Sequence, residues 1–306
     1  METIQEYLEK VSKADPVFSS SLTMVPLICQ DNRAVDWEVL DDALNAQKCR
    51  ISEVSEDGSV SELRFENLGD QPIFLLDGEE LVGAKQNRAI NLSILAPPKT
   101  GMTIPVSCVE QGRWNYNRRG FATSSRAQYA SNRAKKASSV SFNMRYRQSH
   151  RSDQSEVWSD ISEKVCRMQV MSETDAMSDI FNATDADLDT CVSKMQPVDD
   201  QVGAVFLIGG KVSGADIFGS SQMFHKLLPK LVRSYALDAI EAPNPGSFQE
   251  SVVDAFIDRV GNEDMEESPA IGLGTDFRFE DPGLAGGALV LDGRVVHLAA
   301  LRVPVT

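Results

Sequence analysis

The chain has 306 residues, of which 42% are apolar and 25% charged, with a formal net charge of −15. That is the composition of a soluble globular protein, long enough for one large domain or two ordinary ones. No run of 18 apolar residues occurs, which excludes a membrane-spanning helix, and the five cysteines are odd in number, scattered and without a Cys-x-x-Cys pair, which excludes a disulfide framework and a zinc ribbon. The opening Met-Glu-Thr-Ile-Gln-Glu lacks the basic head and apolar core of a signal peptide, so a reducing, cytoplasmic setting is expected.

In chain order, residues 1–12 read as a short amphipathic helix and residues 22–29 as a strand. Residues 35–46 read as a helix with Val39, Leu40, Ala43 and Leu44 on one face. Residues 49–54 and 60–66 form two strands joined at Glu56-Asp57-Gly58, a strong hairpin signal. A buried strand follows at 73–76. Two series then share a face at steps of two: Gln86, Arg88, Ile90, Leu92, Ile94, and Met102, Ile104, Val106, Cys108, Glu110, joined through Pro97-Pro98-Lys99-Thr100-Gly101. Their register is open: one alignment sets Arg88 against Glu110, and one two residues shorter sets Arg88 against Cys108 and Gln86 against Glu110. Pro105 belongs at an edge or a bulge.

From about residue 115 to 152 no period is visible, and the stretch reads as a long mobile, protease-sensitive excursion. Asp153 with Glu156 caps a helix, residues 174–195 hold one or two more, and residues 202–208 and 211–218 form a hairpin across Gly209-Gly210. Ser220 or Ser221 caps a helix reaching Ala239 with a break or kink at Pro229, and Ser247 with Glu250 caps another. Strands at 270–279, 288–291 and 294–303 close the chain. Hairpins outnumber βαβ units, so the expected fold class is α+β with mainly antiparallel sheet and helices packed between and around. The expected organisation is a single domain over 1–306: a β-rich half to about 114, the basic excursion about 115–152, and a mixed half about 153–306.

Charged groups end both apolar faces of the 86–110 region, and burying a charge without a partner is costly, so these groups need partners or a ligand. Glu110 and Glu79, with Glu80, are the candidate acid–base groups. Lys85, Arg88 and Arg113 are the candidate holders of a phosphate or carboxylate. The alternative is an ion-pair network that fixes the hairpin. Cys108 beside cations suits a nucleophile, but its place on the Val106 face suits packing better. Trp114 either stacks on a ligand or caps the core. Between Gln111 and Ser152 there are ten Lys or Arg and no Asp or Glu. Interleaved with aromatics, that strip would suit a single nucleic-acid strand, although a solvated surface reads better in the absence of any recognisable nucleic-acid module. Asp185-x-Asp187-x-Asp189 begins like a calcium loop but has Thr190 at position six and Gln196 at position twelve, and no metal set is assigned. Asp216, alone before Ile-Phe-Gly, reads as a turn or helix-entry acid.

The run Leu76-Asp-Gly-Glu-Glu-Leu-Val-Gly-Ala-Lys-Gln-Asn-Arg88, then Ile104-Pro-Val-Ser-Cys-Val-Glu-Gln-Gly-Arg-Trp114, resembles the ADP-ribosylglycohydrolase and rhodanese-phosphatase-superfamily-associated protein domain family, as do Gly210 to Phe218 and Val296-His297-Leu298. The resemblance covers nearly the whole chain. It implies a place near ADP-ribose or NAD-derived nucleotides by association, with no catalytic residues or cofactor to carry over. On that footing a small anionic, nucleotide-like ligand is expected, with Arg88 and Arg113 on the anion, Gln86 and Asn87 on a ribose or base, Trp114 stacking and Glu110 or Glu79 orienting or exchanging protons. A non-catalytic protein-interaction module is the alternative, and single-stranded nucleic acid binding the third reading. No membrane partner is expected.

Overall fold

Alternating apolar residues build sheet at both ends of the chain. In the computed structural model, which describes residues 4–30, 34–115, 120–242 and 244–303, the chain begins α1 (Ile4–Glu9), β1 (Ser12–Lys13), β2 (Val17–Ser19), β3 (Leu22–Ile28), β4 (Glu38–Val39), α2 (Leu40–Asn45), β5 (Cys49–Glu53), β6 (Glu62–Asn67), β7 (Ile73–Leu75), β8 (Glu79–Gly83), β9 (Arg88–Ile90), β10 (Ile94–Ala96) and β11 (Gly101–Cys108). It continues β12 (Phe121–Ala127), α3 (Ala130–Arg147), α4 (Gln154–Arg167), α5 (Met177–Ala183), α6 (Asp185–Lys194), β13 (Gln201–Ile208), β14 (Lys211–Phe218), α7 (Ser221–Ile240), α8 (Glu250–Gly261), β15 (Glu266–Pro269), β16 (Thr275–Asp281), β17 (Leu284–Leu291) and β18 (Arg294–Leu301). The fold is α+β and its sheets are antiparallel except where β4 pairs with β7.

The larger sheet runs β1-β3-β13-β14-β18-β17-β16-β15, with β2 also on β3. Both of its faces are covered. Along β13, Ala204 and Phe206 point to the side of Leu227, Leu231 and Tyr235 on α7, while Val205 and Leu207 point to the side of Tyr7 and Leu8 on α1 and Val253 and Phe256 on α8. Phe206 and Tyr235 stack with ring centroids 4.1 Å apart. A second, six-stranded sheet runs β12-β8-β9-β11-β6-β5, with Ile51, Leu63, Phe65, Leu81, Ile90, Ile104 and Val106 packed beneath α2, and a third has three strands, β10-β7-β4.

The 86–110 region departs from a simple hairpin. β9 is three residues long and sets Arg88 opposite Cys108 on β11, the shorter of the two registers. Ile94 to Ala96 belong instead to β10, which pairs with β7, so the apolar series from Gln86 to Ile94 is not one strand. The break falls at Asn91, whose side chain accepts from Ser107 and donates to the His150 carbonyl. Pro105 does not lie on a sheet edge. It sits where β11 passes from pairing with Glu62 on β6 to pairing, at Val106, with Ile90 on β9.

The expected excursion over 115–152 is replaced by β12 and the 18-residue helix α3. Its period escapes detection because its inner face carries Ala130, Ala134, Ala137 and Val140 together with Arg133 and Lys136, all buried. Tyr116, Arg118 and Arg119 lie outside the described residues, as do Met1 to Thr3 of the first expected helix. Three smaller differences concern helix starts, one being that Ser220 precedes α7 without a side-chain cap hydrogen bond. Residues 38–39 form a strand before α2, and α8 begins after Gln249 without a side-chain cap from Ser247. Asp153 caps α4 as expected, accepting from the Ser155 and Glu156 amides. Among the described residues no helix is long and apolar enough to cross a membrane.

Candidate functional site

Beyond the end of β11 the chain turns and docks on the segment before α5. The Gly112 amide donates to the Thr174 carbonyl at 2.8 Å and the Met177 amide to the Val109 carbonyl at 2.9 Å. A Cβ at Gly112 would lie 2.7 Å from Thr174 Cα, so only glycine permits this approach. The turn brings Glu110 and Arg113 together. Arg113 donates through Nε to Oε1 at 2.8 Å and through Nη2 to Oε2 at 2.6 Å. The Asn87 amide and the Thr174 hydroxyl donate to the same carboxylate at 3.0 and 3.2 Å. Burial pushes the Glu110 carboxyl up, but these donors outweigh it and hold it below the usual glutamate range.

Arg113 also donates to the Ala84 carbonyl at 2.8 Å and the Asn87 side-chain oxygen at 3.2 Å. It thereby clamps the β8–β9 loop, where Ala84 adopts a left-handed φ of 40°. Non-glycine residues hold such a conformation only where the surroundings impose it, and strain of this kind gathers at functional sites. Gln86 is buried, donating to the Gln111 carbonyl and accepting from Arg88.

Arg88 is fully buried at 0% exposure, and among the described residues no carboxylate lies within ion-pair distance of it. Its guanidinium donates to the Gln86 side chain and to the Asn87 and Ser59 carbonyls at 3.2–3.4 Å, and its Nε has no partner. The expected Arg88–Glu110 pair is therefore not formed, because Glu110 lies past the strand end and turns to Arg113. Trp114 does not cap the core. The residue is 42% exposed, with the Arg88 Cζ 5.7 Å and the Lys85 Nζ 5.3 Å from its ring centroid. Lys85 is anchored by the Glu56 and Asp57 carbonyls at 2.6 and 2.7 Å.

Cys108 faces two acceptors, the Gln86 side-chain oxygen at 3.0 Å and the Glu110 carbonyl at 3.1 Å, and burial pushes its thiol up. Both features favour the protonated thiol over a nucleophilic thiolate. Glu79 is not joined to Glu110 by any contact among the described residues. It points to α7, where it binds Lys230 and accepts from the Leu76 amide at 3.2 Å. Burial pushes both Glu79 and Glu80 up, against the pull of Lys230 on the first and Arg126 on the second.

Several cations of the basic stretch are engaged within the fold. Lys135 binds Asp160, Arg145 binds Glu266, Arg151 binds Glu62 and Arg126 lies by Glu80. Arg133 and Lys136 lead to a buried cluster that the sequence reading missed. Arg133 grips Asp216 with two donors at 2.6 and 3.1 Å, and Tyr235 and His297 donate to the same carboxylate at 2.8 and 3.2 Å. Lys136 binds Asp77 at 2.7 Å, and burial lowers its ammonium to about 8. The available signal was Asp216 inside the apolar strand Gly214 to Phe218, a position no solvated acid takes.

Three sheets, antiparallel but for the β4–β7 pair, with a partly exposed aromatic ring beside two cations and next to a closed carboxylate–guanidinium staple, define an α+β fold with a candidate anion-binding face. The chain belongs to the ARG and Rhodanese-Phosphatase-superfamily-associated Protein domain family, whose model matches residues 10–301. No curated protein and no solved structure matches it.

Proposed function

We propose that the chain binds a small anionic, nucleotide-like ligand, in the class of ADP-ribose and NAD-derived nucleotides, on the face formed by Trp114, Lys85 and Arg88. The observation that carries this reading is the exposed Trp114 with two cations within 6 Å of its ring centre, one of them a guanidinium with no ion-paired carboxylate among the described residues. An aromatic face stacks a base or a sugar, and the positive field of Lys85 and the buried Arg88 beneath the ring favours an anionic ligand on it. Gln86 and Asn87 shape the loop beneath, and Glu110 with Arg113 builds the site without exchanging protons. The association with ADP-ribosylglycohydrolases in the family's name supports the ligand class. Five cysteines, none of them in a disulfide among the described residues, support a reducing cytoplasmic setting.

A thermal-shift panel of NAD, ADP-ribose, nucleotides and sugar phosphates tests the reading. A ligand at about 100 times its dissociation constant adds roughly 2.7 kcal/mol of stability. The shift disappears in Trp114→Ala, whose ring is too exposed to be needed for folding. No shift with any compound overturns the proposal and favours the second reading, a protein-interaction module. What favours that reading is the closed state of Glu110, which accepts four hydrogen bonds from within the chain. Nucleic-acid binding is disfavoured by the intramolecular pairing of the basic stretch.

A further inference from the structure

Away from that face, a cleft of about 390 Å³ opens where the start of α7 meets α1, the chain just beyond β3 and the turn between β17 and β18. That volume is in the range of sites for small molecules. Trp37, Val35, Leu291 and Val295 give it aromatic and aliphatic walls. Its charged groups, Lys10, Asp292 and Arg294, are exposed, and Trp37, Val35, Gly219 and Leu291 are half-buried. A molecule can therefore enter directly from solvent.

Gly219 lines the cleft where the chain passes from β14 to α7. A Cβ there would lie 2.0 Å from the Val295 carbonyl oxygen, so only glycine lets this link press against β18. The cleft thus reaches bare backbone one residue before Ser220, the N-cap of α7.

α7 is 20 residues long, and its first-turn amides have no partners within the helix, so this end carries a positive partial charge. The first turn holds no acidic residue to offset it. Ser220 does not offset it either. Its side chain makes no cap hydrogen bond, and its hydroxyl, in a residue only 1% exposed, has no partner among the described residues. A buried hydroxyl is rarely left unpaired in a purely structural role.

Charge balance narrows the class of ligand. Lys10 and Arg294 against Asp292 leave the side chains of the cleft with one net positive charge, beside the positive end of α7. A singly charged anion matches that balance, whereas a phosphate dianion exceeds it and is repelled by Asp292. The indole of Trp37 and the aliphatic walls suit a flat apolar body.

We propose that this cleft binds a small aryl carboxylic acid, a single carboxylate on a ring system of phenyl or indole size. The carboxylate points toward the start of α7 and Arg294, and the ring lies against Trp37. The site shares no residue with the Trp114 face and stands independently of it.

Fluorine NMR of the whole protein labelled with 5-fluorotryptophan tests this. The chain has three tryptophans, Trp37, Trp114 and Trp158, whose resonances are assigned with Trp37→Phe, Trp114→Phe and Trp158→Phe. The probes are indole-3-acetate and benzoate, the uncharged indole-3-acetamide, and 3-indoxyl phosphate. The expected result is a saturable shift of the Trp37 resonance with an acid while the Trp114 resonance stays in place. The amide and the phosphate should bind about tenfold more weakly or less, the share of a charge-assisted contact. Arg294→Gln, a change at an exposed position, should weaken binding of the acid by about fivefold, the upper range for a solvent-exposed ion pair. Equal affinity for acid and amide, tighter binding of the phosphate, or an unchanged affinity in Arg294→Gln overturns the proposal. A shift at Trp114 in place of Trp37, or no saturable shift with either acid, overturns it equally.

Discussion

Glu110 and Arg113 meet through two parallel hydrogen bonds of 2.8 and 2.6 Å, three residues apart on a turn and not across a strand pair. The pair ties the end of β11 to the loop between β8 and β9 and, through Thr174, to the start of α5. Removing one partner strands the other. Glu110→Ala should therefore destabilise the fold by about 3 kcal/mol, the lower end for a broken buried pair because Arg113 is partly exposed. Arg113→Lys should lose much of the same amount, since an ammonium cannot reproduce the two-pronged contact. Urea denaturation at neutral pH measures both.

Arg88 is expected to behave in the opposite way. Its burial opposes the charge, and Glu53 and Glu110 support it only from beyond ion-pair distance among the described residues. Arg88→Met keeps most of the volume, so its unfolding free energy should equal the wild-type value or exceed it, within about 1 kcal/mol, while the ligand-induced thermal shift vanishes. A loss of several kcal/mol would instead make Arg88 a structural element.

The thiols should divide cleanly. Cys166 is exposed, whereas Cys29, Cys49, Cys108 and Cys191 are buried. Burial, with Glu38 and Glu79 nearby, pushes the Cys49 thiol up to about 12. A thiol-reactive reagent should label Cys166 rapidly in the native protein and the other four only after unfolding. Fast native labelling of Cys108 would contradict its placement between two acceptors.

Trypsin offers a test of α3. Arg133 and Lys136 are buried and ion-paired, so native protein should resist cleavage after both, in contrast to an exposed basic loop. Arg133→Met should also lower stability by about 3–5 kcal/mol by leaving Asp216 and Asp77 undercompensated. Early native cleavage within 130–140 would dispute the helix.

Acid should unfold the protein by a traceable route. Asp77, Asp160, Asp216, Glu110 and Glu241 are all held below the usual carboxylate range: burial pushes each of them up, but the cations and hydrogen bonds around them outweigh it. Each adds stability that is complete above its unfolded value, about 4, and is lost as the pH falls toward its folded value. Glu79 and Glu80 are raised, chiefly by burial, and have the opposite sign, so stability should first rise on mild acidification and then fall below about pH 4. Asp216→Asn should flatten the acid branch in a pH series of urea titrations. An unchanged branch would remove Asp216 from the account.

Much of the fold was legible in the residues because its strands are half-buried and alternate, and its hairpins carry Asp-Gly and Gly-Gly turns. β5 and β6, β13 and β14, and β16 to β18 all fall close to where alternation places them. α3 was not legible, since its buried face uses alanines and two cations whose partner carboxylates come from elsewhere in the chain, Asp216 lying 83 residues beyond Arg133. The grouping of Gln86, Asn87, Arg88, Glu110, Arg113 and Trp114 into one neighbourhood was likewise readable from two adjacent strands.

The amino-acid order by itself determined the antiparallel α+β class and the family, and it placed charge at the end of two apolar faces. Only the tertiary structure decided who pairs with whom. Strand alternation orients a side chain only while the strand lasts, and Glu110 lies past the end of β11 and so turned to Arg113, leaving Arg88 without an acid. The same holds for Ser93, His297 and Asp216. Nothing in their own segments links them, and they meet because sheet pairing and the bend after β9 bring segments up to 204 residues apart within hydrogen-bond reach.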